Sequence, residues 1–238
     1  MAYQAVFKRY ELKYLLTAEQ KEAILQVMAP YMALDQYGRT TIRNIYFDTE
    51  NYRLIRRSIE KPTYKEKLRI RSYRKTEKKD KVFVELKKKY NGVVYKRRVS
   101  MPQQAAMDWI CGGIGAPDTQ IGREVEYFRN FYRGLRPAVY LSYEREAFYC
   151  KDGSDFRVTF DDHIYARQDR LSLTEEPGGK ALLPEGMVLM ELKTSGAIPL
   201  WLTEHLTAQR IFKTSFSKYG TAYQTMIFAK DKGAYLHA

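Results

Sequence analysis

Short rows of charged side chains recur along this sequence at a two-residue spacing, and several rows mix Lys or Arg with a carboxylate. One row is Arg9, Glu11 and Lys13, and another is Glu191 and Lys193. Residues two apart lie on one face of a β-strand, so each row predicts a strand with a charged face and an apolar face. The remaining rows are Lys65, Lys67, Arg69 and Arg71; Glu85, Lys87 and Lys89; Lys96 and Arg98; Tyr143 and Arg145; and Arg157, Thr159 and Asp161.

Rows of this composition favour the binding of phosphate groups. Clustered cations repel one another unless an anion neutralises them, and the planar guanidinium of Arg holds two phosphate oxygens at once. Carboxylates placed among the cations suit a hard divalent cation, which bridges phosphate oxygens. The alternative is an ordinary half-exposed sheet with its charged side in water. Recurrence of the pattern over so many strands favours a sheet whose charged faces line an enclosed tunnel.

The elements that position these rows are mostly strands in hairpin-like succession. About eight strands are predicted from the alternation, at residues 7–15, 41–48, 64–74, 81–89, 93–100, 138–148, 156–164 and 188–192. Thr17 and Gln20 form a capping box that predicts a helix to about Met32. Further helices are predicted at 102–113, 123–133, 199–209 and 217–230. These elements predict an α+β fold with the sheet closed or nearly closed.

The charge balance limits the class of partner. The chain has 41 Lys and Arg residues against 28 Asp and Glu, a formal net charge of +13 at pH 7. This excess indicates nucleic acid, an acidic membrane surface or a phosphate-rich small molecule as the partner. Sequence-specific nucleic-acid reading is not expected, since no helix-turn-helix, zinc finger or RNA-binding aromatic motif is present. No Walker-type loop is present either, which argues against P-loop chemistry.

The length of the chain and its first residues indicate its domain organisation and location. The 238 residues fit a single domain over residues 1–238. No apolar stretch approaches the ~20 residues that a membrane span needs. The charged segment after Met1 lacks a signal run, so we expect a cytoplasmic location. The two cysteines are too few for a disulfide framework or a thiolate metal site.

The segments that carry the charged rows resemble the VTC domain, the polyphosphate polymerase domain of the triphosphate tunnel metalloenzyme (CYTH-like) superfamily. Matching segments occur in the family's order from residue 7 to about residue 228. They are 9–14, 45–48, 67–71, 84–87, 143–148, 157–161, 191–193 and 216–219. The resemblance implies an eight-stranded antiparallel β-barrel tunnel with flanking helices, which binds ATP, triphosphate or polyphosphate together with Mn²⁺ or Mg²⁺.

The resemblance also implies roles for individual residues. Phosphate contacts are implied for Lys13, Arg69, Arg71, Lys87, Arg145, Arg157 and Tyr143. Glu191 is the implied metal ligand, and Ser217 and Lys218 are expected to hold the polyphosphate chain at one mouth of the tunnel. The charged rows add Lys67, Lys96, Arg98 and Lys193 as phosphate-binding candidates and Glu11, Glu85 and Asp161 as further metal-ligand candidates. For Glu11 and Glu85, the alternative is simple neutralisation of the adjacent Lys and Arg side chains.

The expected activity is metal-dependent transfer of the γ-phosphoryl group of ATP to a growing polyphosphate chain. Arg69, Arg71, Arg145 and Arg157 are the catalytic candidates, because they would stabilise the group in flight. Two alternatives stay open: hydrolysis of triphosphate or nucleotides at the same site, and non-catalytic binding of polyphosphate or nucleic acid.

Two departures from the family's pattern affect this expectation. Arg9 replaces the first Glu of the superfamily motif Glu-x-Glu-x-Lys, which favours the polymerase branch over the simple triphosphatases. Ser215 stands where the family often has Lys, with Lys213 nearby, which weakens the expected grip on the product chain. The family's phosphate-sensing and membrane-spanning parts are also absent, so we expect any membrane coupling to need a membrane-protein partner.

Overall fold

The computed structural model describes residues 10–229, most of which build one large antiparallel sheet. Its strands are β1 Tyr10–Leu16, β2 Met32–Leu34, β3 Thr40–Asp48, β4 Tyr64–Ser72, β5 Lys81–Tyr90, β6 Val93–Pro102, β7 Arg136–Cys150, β8 Arg157–Arg167, β9 Lys180–Ala181 and β10 Val188–Thr194. The strands predicted from the alternation are confirmed, and β2 and β9 are short additions. Arg9 lies outside the described residues.

The sheet curls strongly, but its hydrogen-bonded ladder does not close. Neighbouring strands follow the order β1-β10-β8-β7-β3-β4-β5-β6, with β2 beside β7 and β9 beside β8. Within residues 10–229 no ladder joins β1 to β6, so the closed eight-stranded barrel is not confirmed. A side-chain ion pair spans the opening instead: Lys87 Nζ on β5 lies 2.8 Å from Glu11 Oε1 on β1. The charged face is therefore concave, and long side chains bring its two edges together.

Within residues 10–229, six α-helices accompany the sheet. They are α1 Ala18–Met28, α2 Arg53–Ile59, α3 Gln103–Gly112, α4 Gln120–Phe131, α5 Leu200–Ala208 and α6 Lys218–Ala222, which continues into a π-helical turn Tyr223–Ile227. The capping box at α1 is confirmed, because the Gln20 N–H donates to Thr17 Oγ1 and the Thr17 N–H to Gln20 Oε1. None of the helices in this part of the chain is long and apolar enough to cross a membrane.

The apolar faces of the strands bury under helices on the convex side. Trp109 of α3 and Phe128 of α4 pack with Leu68 of β4 and other residues of β4, β5 and β6. On the opposite flank, Ile24 of α1 and Leu202 of α5 pack against β1, β8 and β10. Burying a large apolar side chain contributes about 1.5–3 kcal/mol. This packing fixes the convex side and leaves the concave side to the charged rows.

Helix α6 covers one end of the concave face. The Tyr219 ring stacks on Tyr46 of β3 with ring centroids 4.8 Å apart. Its hydroxyl donates to Asp48 Oδ2 at 2.9 Å, and the same carboxylate accepts the Leu54 and Ile55 N–H groups that begin α2. Asp48 therefore anchors both helices, and α6 directs its first residue, Lys218, toward the charged rows.

Candidate active site

The charged rows converge on the concave face, where buried carboxylates organise a larger set of cations. The carboxylates are Glu11, Glu85, Asp161 and Glu191. The cations around them are Lys13, Lys67, Arg69, Arg71, Lys87, Lys96, Arg98, Arg145, Lys193 and Lys218. Cations clearly outnumber carboxylates, which leaves positive charge without a protein partner.

Glu85 is the centre of the first group. It lies directly opposite Arg69 on β4 and Arg98 on β6, and its side chain is 1% exposed. Arg69 donates Nε and Nη2 to Oε2 at 2.8 and 2.7 Å, and Arg98 donates Nε to Oε1 at 2.6 Å. Burial alone would raise the pKa of Glu85, but the surrounding cations, Arg69 first, hold it well below its usual range. These contacts favour a neutralising role for Glu85 over metal ligation.

Arg71 is held differently, by neutral partners. Its Nε donates to Asn44 Oδ1 at 2.9 Å, and its Nη2 donates to the Tyr143 hydroxyl at 2.8 Å. The Glu85 carboxylate is 3.9 Å away. Arg71 is thus buried and fixed in orientation while most of its charge remains available to an anion. Asn44 is absent from the predicted site residues, because the rows on which that prediction is based consist mainly of charged side chains.

Asp161 forms the second group with Arg145 and Lys218. Arg145 lies opposite Asp161 in the β7–β8 ladder and makes two parallel hydrogen bonds to its carboxylate, each 2.6 Å long. Lys218 Nζ donates to Asp161 Oδ2 at 2.5 Å. The Asp161 side chain is fully buried. Both of its oxygens are occupied by cations, so these contacts assign Asp161 to positioning Arg145 and Lys218.

Glu191 forms ion pairs with several cations, and none of them binds both of its oxygens through two parallel hydrogen bonds. Its oxygens lie 3.1 Å from Lys218 Nζ, 3.3 Å from Lys193 Nζ and 3.4 Å from Lys13 Nζ. Although burial favours the protonated form, Lys218 and Lys13 hold the pKa of Glu191 well below its usual range. Glu191 stays ionised, and its contacts are long enough to be exchanged for others.

The fit of a divalent metal depends on Glu191 and Glu11. In the β1–β10 ladder Glu11 pairs with Lys193 and Lys13 pairs with Glu191, so the two carboxylates are diagonal neighbours on one face. Burial opposes ionisation of Glu11, but Lys87 lowers its pKa to about 2. No group of three or more metal-ligating side chains exists within residues 10–229. Mg²⁺ usually binds through one or two carboxylates plus substrate phosphates. Glu191, which has no bidentate partner, fits a divalent ion of that kind, held jointly with phosphate. Glu11 can join it only by giving up Lys87, which donates to both of its oxygens at 2.8 and 2.9 Å.

Lys67 lies in the part of the site that lacks a carboxylate. Its Nζ donates to Ser217 Oγ at 2.9 Å, and no ion pair of Lys67 is found within the described residues. Burial and the neighbouring Lys13 and Lys87 lower the pKa of Lys67 to about 7. Burial likewise lowers the pKa of Lys193, to about 8, against the effect of Glu191. An anion bound here would relieve this repulsion.

Two predicted positions differ from expectation. Lys218 is only 7% exposed and lies between two carboxylates, so its side chain is not placed at an open mouth. The reason is that α6 packs into the end of the curled sheet. Ser217 caps α6 by accepting the Gly220 N–H and also receives the Lys67 hydrogen bond. Arg157 is exposed at the first residue of β8, four residues from Asp161, or about 13 Å along a strand.

The family model of the VTC domain matches residues 8–227 of this chain. A crystal structure from Bacillus halodurans, described as that of a candidate adenylate cyclase, has a TM-score of 0.58 at 14% identity, covering 94% of this chain and 100% of the other. A candidate adenylyl cyclase from Hippeastrum, described as having a dominant triphosphatase activity, has a TM-score of 0.56 at 16% identity, covering 92% and 96%. No curated protein matches the chain. At such identities the structural likeness concerns the fold.

Proposed function

The chain belongs to the VTC domain family, and from that premise we propose that it is a metal-dependent polyphosphate polymerase. It transfers the γ-phosphoryl group of ATP to a growing polyphosphate chain bound on the concave face. The observation that carries the proposal is the incompletely compensated charge of Arg71 and Lys67. Their hydrogen-bond partners are neutral, and the carboxylate near Arg71, Glu85, lies 3.9 Å away and already binds Arg69 and Arg98. A polyanion supplies the negative charge that the protein lacks there.

The arginines fit the demands of phosphoryl transfer, which needs positioning and neutralisation more than covalent chemistry. Arg69 and Arg145 are oriented by Glu85 and Asp161, and Arg71 is oriented by neutral groups. In the proposed step a terminal oxygen of the acceptor phosphate attacks the γ-phosphorus. The bond from that phosphorus to the β-phosphate oxygen breaks, and ADP leaves with the electron pair.

A divalent ion has a defined place in this proposal. Glu191 and Glu11 would hold Mn²⁺ or Mg²⁺ jointly with phosphate oxygens, and the ion would supply neutralisation of their charge. Lys13, Lys193 and Lys218 then exchange part of their contact with Glu191 for contact with phosphate. Lys13 and Lys193 lie 3.4 and 3.3 Å from Glu191, so the hydrogen bond that this exchange weakens is the one from Lys218 Nζ at 3.1 Å.

The acceptor chain is assigned to the carboxylate-poor region around Lys67. Lys13, Lys67 and Ser217 are linked there, since Lys13 Nζ donates to the Phe216 carbonyl and Lys67 Nζ donates to Ser217 Oγ. Arg157, at the exposed start of β8, is assigned to the chain or nucleotide outside the charged cluster. Arg157 therefore keeps a role in the proposal only as a contact to substrate at that outer position.

Hydrolysis of triphosphate is the second candidate, favoured by the likeness to the Hippeastrum protein. Transfer to water needs a base, and the pKa values of Glu11, Glu85, Asp161 and Glu191 are all lowered. Carboxylates of low pKa accept protons poorly near neutral pH, which leaves Lys67 and Lys193, with pKa values of about 7 and about 8, as the bases for that step. An acceptor phosphate already carries a nucleophilic oxyanion and needs no base, so transfer to a phosphate chain makes the smaller demand on these residues.

Incubation with ATP and Mn²⁺ or Mg²⁺ tests the proposal. The expected products are ADP and long polyphosphate, resolved on a gel. Free phosphate without chains would identify a hydrolase, cyclic AMP would identify a cyclase, and unchanged ATP would leave a binding module. Arg71→Gln should lose the activity, and Arg123→Gln, which removes an exposed guanidinium on α4, is the matched control.

A further inference from the structure

An aromatic pair lies on the concave face at the end of β4, directly beside the charged rows. Tyr73 follows β4 and lies two residues after Arg71, the spacing that places both on one face. Phe83 of β5 lies directly opposite Arg71 in the β4–β5 ladder. The Tyr73 and Phe83 rings meet edge to face, with their centroids 5.7 Å apart. The pair therefore adjoins the arginine to which the proposed function assigns phosphate.

Arg98 of β6 fixes this aromatic pair. Its Nη2 donates to the Tyr73 hydroxyl at 2.6 Å. Its guanidinium carbon lies 4.4 Å from the centre of the Phe83 ring and 5.7 Å from the centre of the Tyr73 ring. Glu85 in turn accepts the Arg98 Nε–H at 2.6 Å. The Tyr73 ring is thus held in a defined orientation next to the charged rows.

Tyr73 differs in exposure from the other tyrosines beside the charged rows. Tyr46 and Tyr143 are buried and bind arginines through their hydroxyl groups. Tyr73 is 41% exposed. Burial favours its neutral phenol, but the charges of Arg71 and Arg98 lower the pKa of Tyr73, in keeping with a position close to both cations. An oriented and exposed ring offers a flat surface to a planar ligand.

The ring lies at the end of the concave face away from α6. Ser72, the last residue of β4, pairs with Arg43 near the start of β3, whereas Asp48 at the end of β3 holds α6. Helix α6 therefore covers the end opposite to Tyr73. The acceptor chain is assigned to the region beside α6, so a nucleotide whose triphosphate reaches Arg71 has its nucleoside on the Tyr73 side.

We propose that the Tyr73 ring stacks on the purine base of the nucleoside triphosphate that donates the phosphoryl group. The inference rests on the proposed function, which places the triphosphate at Arg71. Stacking needs only the π-face of the base, and the Arg98 guanidinium beside the ring adds a cation–π attraction. A purine overlaps a tyrosine ring over a larger area than a pyrimidine does, so ATP should bind more tightly than CTP.

Calorimetric titration with β,γ-imido-ATP and with tripolyphosphate tests the stacking without turnover. The ratio of the two Kd values cancels changes in the phosphate contacts that both ligands share. Tyr73→Ala should weaken the binding of imido-ATP relative to tripolyphosphate by about 10-fold. Tyr73→Phe removes the hydrogen bond to Arg98 but keeps the ring, so the ratio should stay at the wild-type value. Tyr127→Ala, at an exposed tyrosine of α4, is the matched control and should leave both Kd values unchanged.

Two results would overturn the stacking. One is an unchanged ratio in Tyr73→Ala. The other is equal affinity of the wild-type protein for imido-ATP and the corresponding analogue of CTP, which decides the question even if Tyr73→Ala fails to fold. Failure of the proposed function is a separate outcome. A ratio that falls in Tyr73→Ala without any transfer to polyphosphate would support the stacking and remove the polymerase, whereas transfer with an unchanged ratio would do the reverse.

Discussion

The Lys218 ammonium lies 2.5 Å from the Asp161 carboxylate, in a pair whose two side chains are 7% and 0% exposed. The same ammonium lies 3.1 Å from Glu191 Oε1. One cation from α6 thus joins the carboxylates of β8 and β10. Because Asp161 also orients Arg145, the position of α6 is coupled to the arrangement of the proposed catalytic arginines.

Removing the Lys218 charge should destabilise the fold. Lys218→Met leaves Asp161 with Arg145 as its cationic partner and weakens the support of Glu191. The loss should therefore stay below the ~3–5 kcal/mol of a buried pair that is broken completely from one side. Denaturant unfolding measures the loss. The double variant Lys218→Met/Asp161→Asn should recover none of it, because Asp161→Asn also removes the carboxylate that pairs with Arg145. A single variant as stable as wild type would contradict the buried pair.

Arg71 and Arg69 should separate activity from stability. Arg71→Gln should lower kcat/KM by about 2–4 kcal/mol of transition-state stabilisation and should lower the Tm less than Arg69→Gln does, since Asn44 and Tyr143 are neutral and Glu85 lies 3.9 Å away. Arg69→Gln should lower both, because it removes two of the three hydrogen bonds that the buried carboxylate of Glu85 accepts. Equal Tm losses in the two variants would argue against this distinction.

Polyanion binding should be coupled to proton uptake. Lys67 and Lys193, with pKa values of about 7 and about 8, are partly neutral in the free protein. A bound polyanion favours their charged forms, so affinity should fall as pH rises through this range. Calorimetric titration with tripolyphosphate in buffers of different ionisation enthalpy measures the uptake. Lys67→Met should reduce it, and buffer-independent heats would contradict the coupling.

The same lysines predict how stability depends on pH. Their pKa values lie below 10.5 in the folded state, so the unfolded chain binds more protons between the folded and unfolded values. Their contribution therefore makes the free energy of unfolding rise with pH from about 7 toward 10. Lys67→Met should flatten the rise relative to wild type in denaturant titrations. A slope unaffected by the substitution would exclude Lys67 as its source.

Glu191 should be required for metal activation. Glu191→Gln removes the charge that faces the ion, so activation by Mn²⁺ should be lost. Removal of the divalent ion by a chelator should likewise abolish the activity of the wild-type protein. Titration of Mn²⁺ in the presence of tripolyphosphate should show weaker binding in the variant. Glu185→Gln, at an exposed position in the loop before β10, is the control. Unchanged Mn²⁺ affinity in Glu191→Gln would remove Glu191 from the metal site.

Much of the sheet was predictable from sequence because its two faces are chemically different. Alternation separates Arg69 and Arg71 from Leu68 and Ile70, and the structure buries the latter pair under helices. The start of α2 was not predictable, because its first N–H groups are held by Asp48, a strand residue.

The depth of Lys218 was also hidden, because it depends on how α6 packs into the curled sheet. Its sequence neighbours alone are typical of a capped helix at a surface. Tyr46 and Asn44 were missed for another reason: they bind Arg69 and Arg71 through neutral groups, which no charged row reveals. A search for polar residues alternating with apolar ones in β3 would have found both.

Transfer of a radiolabelled γ-phosphoryl group from ATP to an added polyphosphate primer distinguishes a polymerase from a hydrolase in one assay. With Mn²⁺ or Mg²⁺ present, we expect label in the polyphosphate chain in amounts equal to the ADP formed, and its loss in Arg71→Gln. Label released only as free phosphate, while ADP accumulates and the primer stays unlabelled, would show that the protein does not elongate polyphosphate.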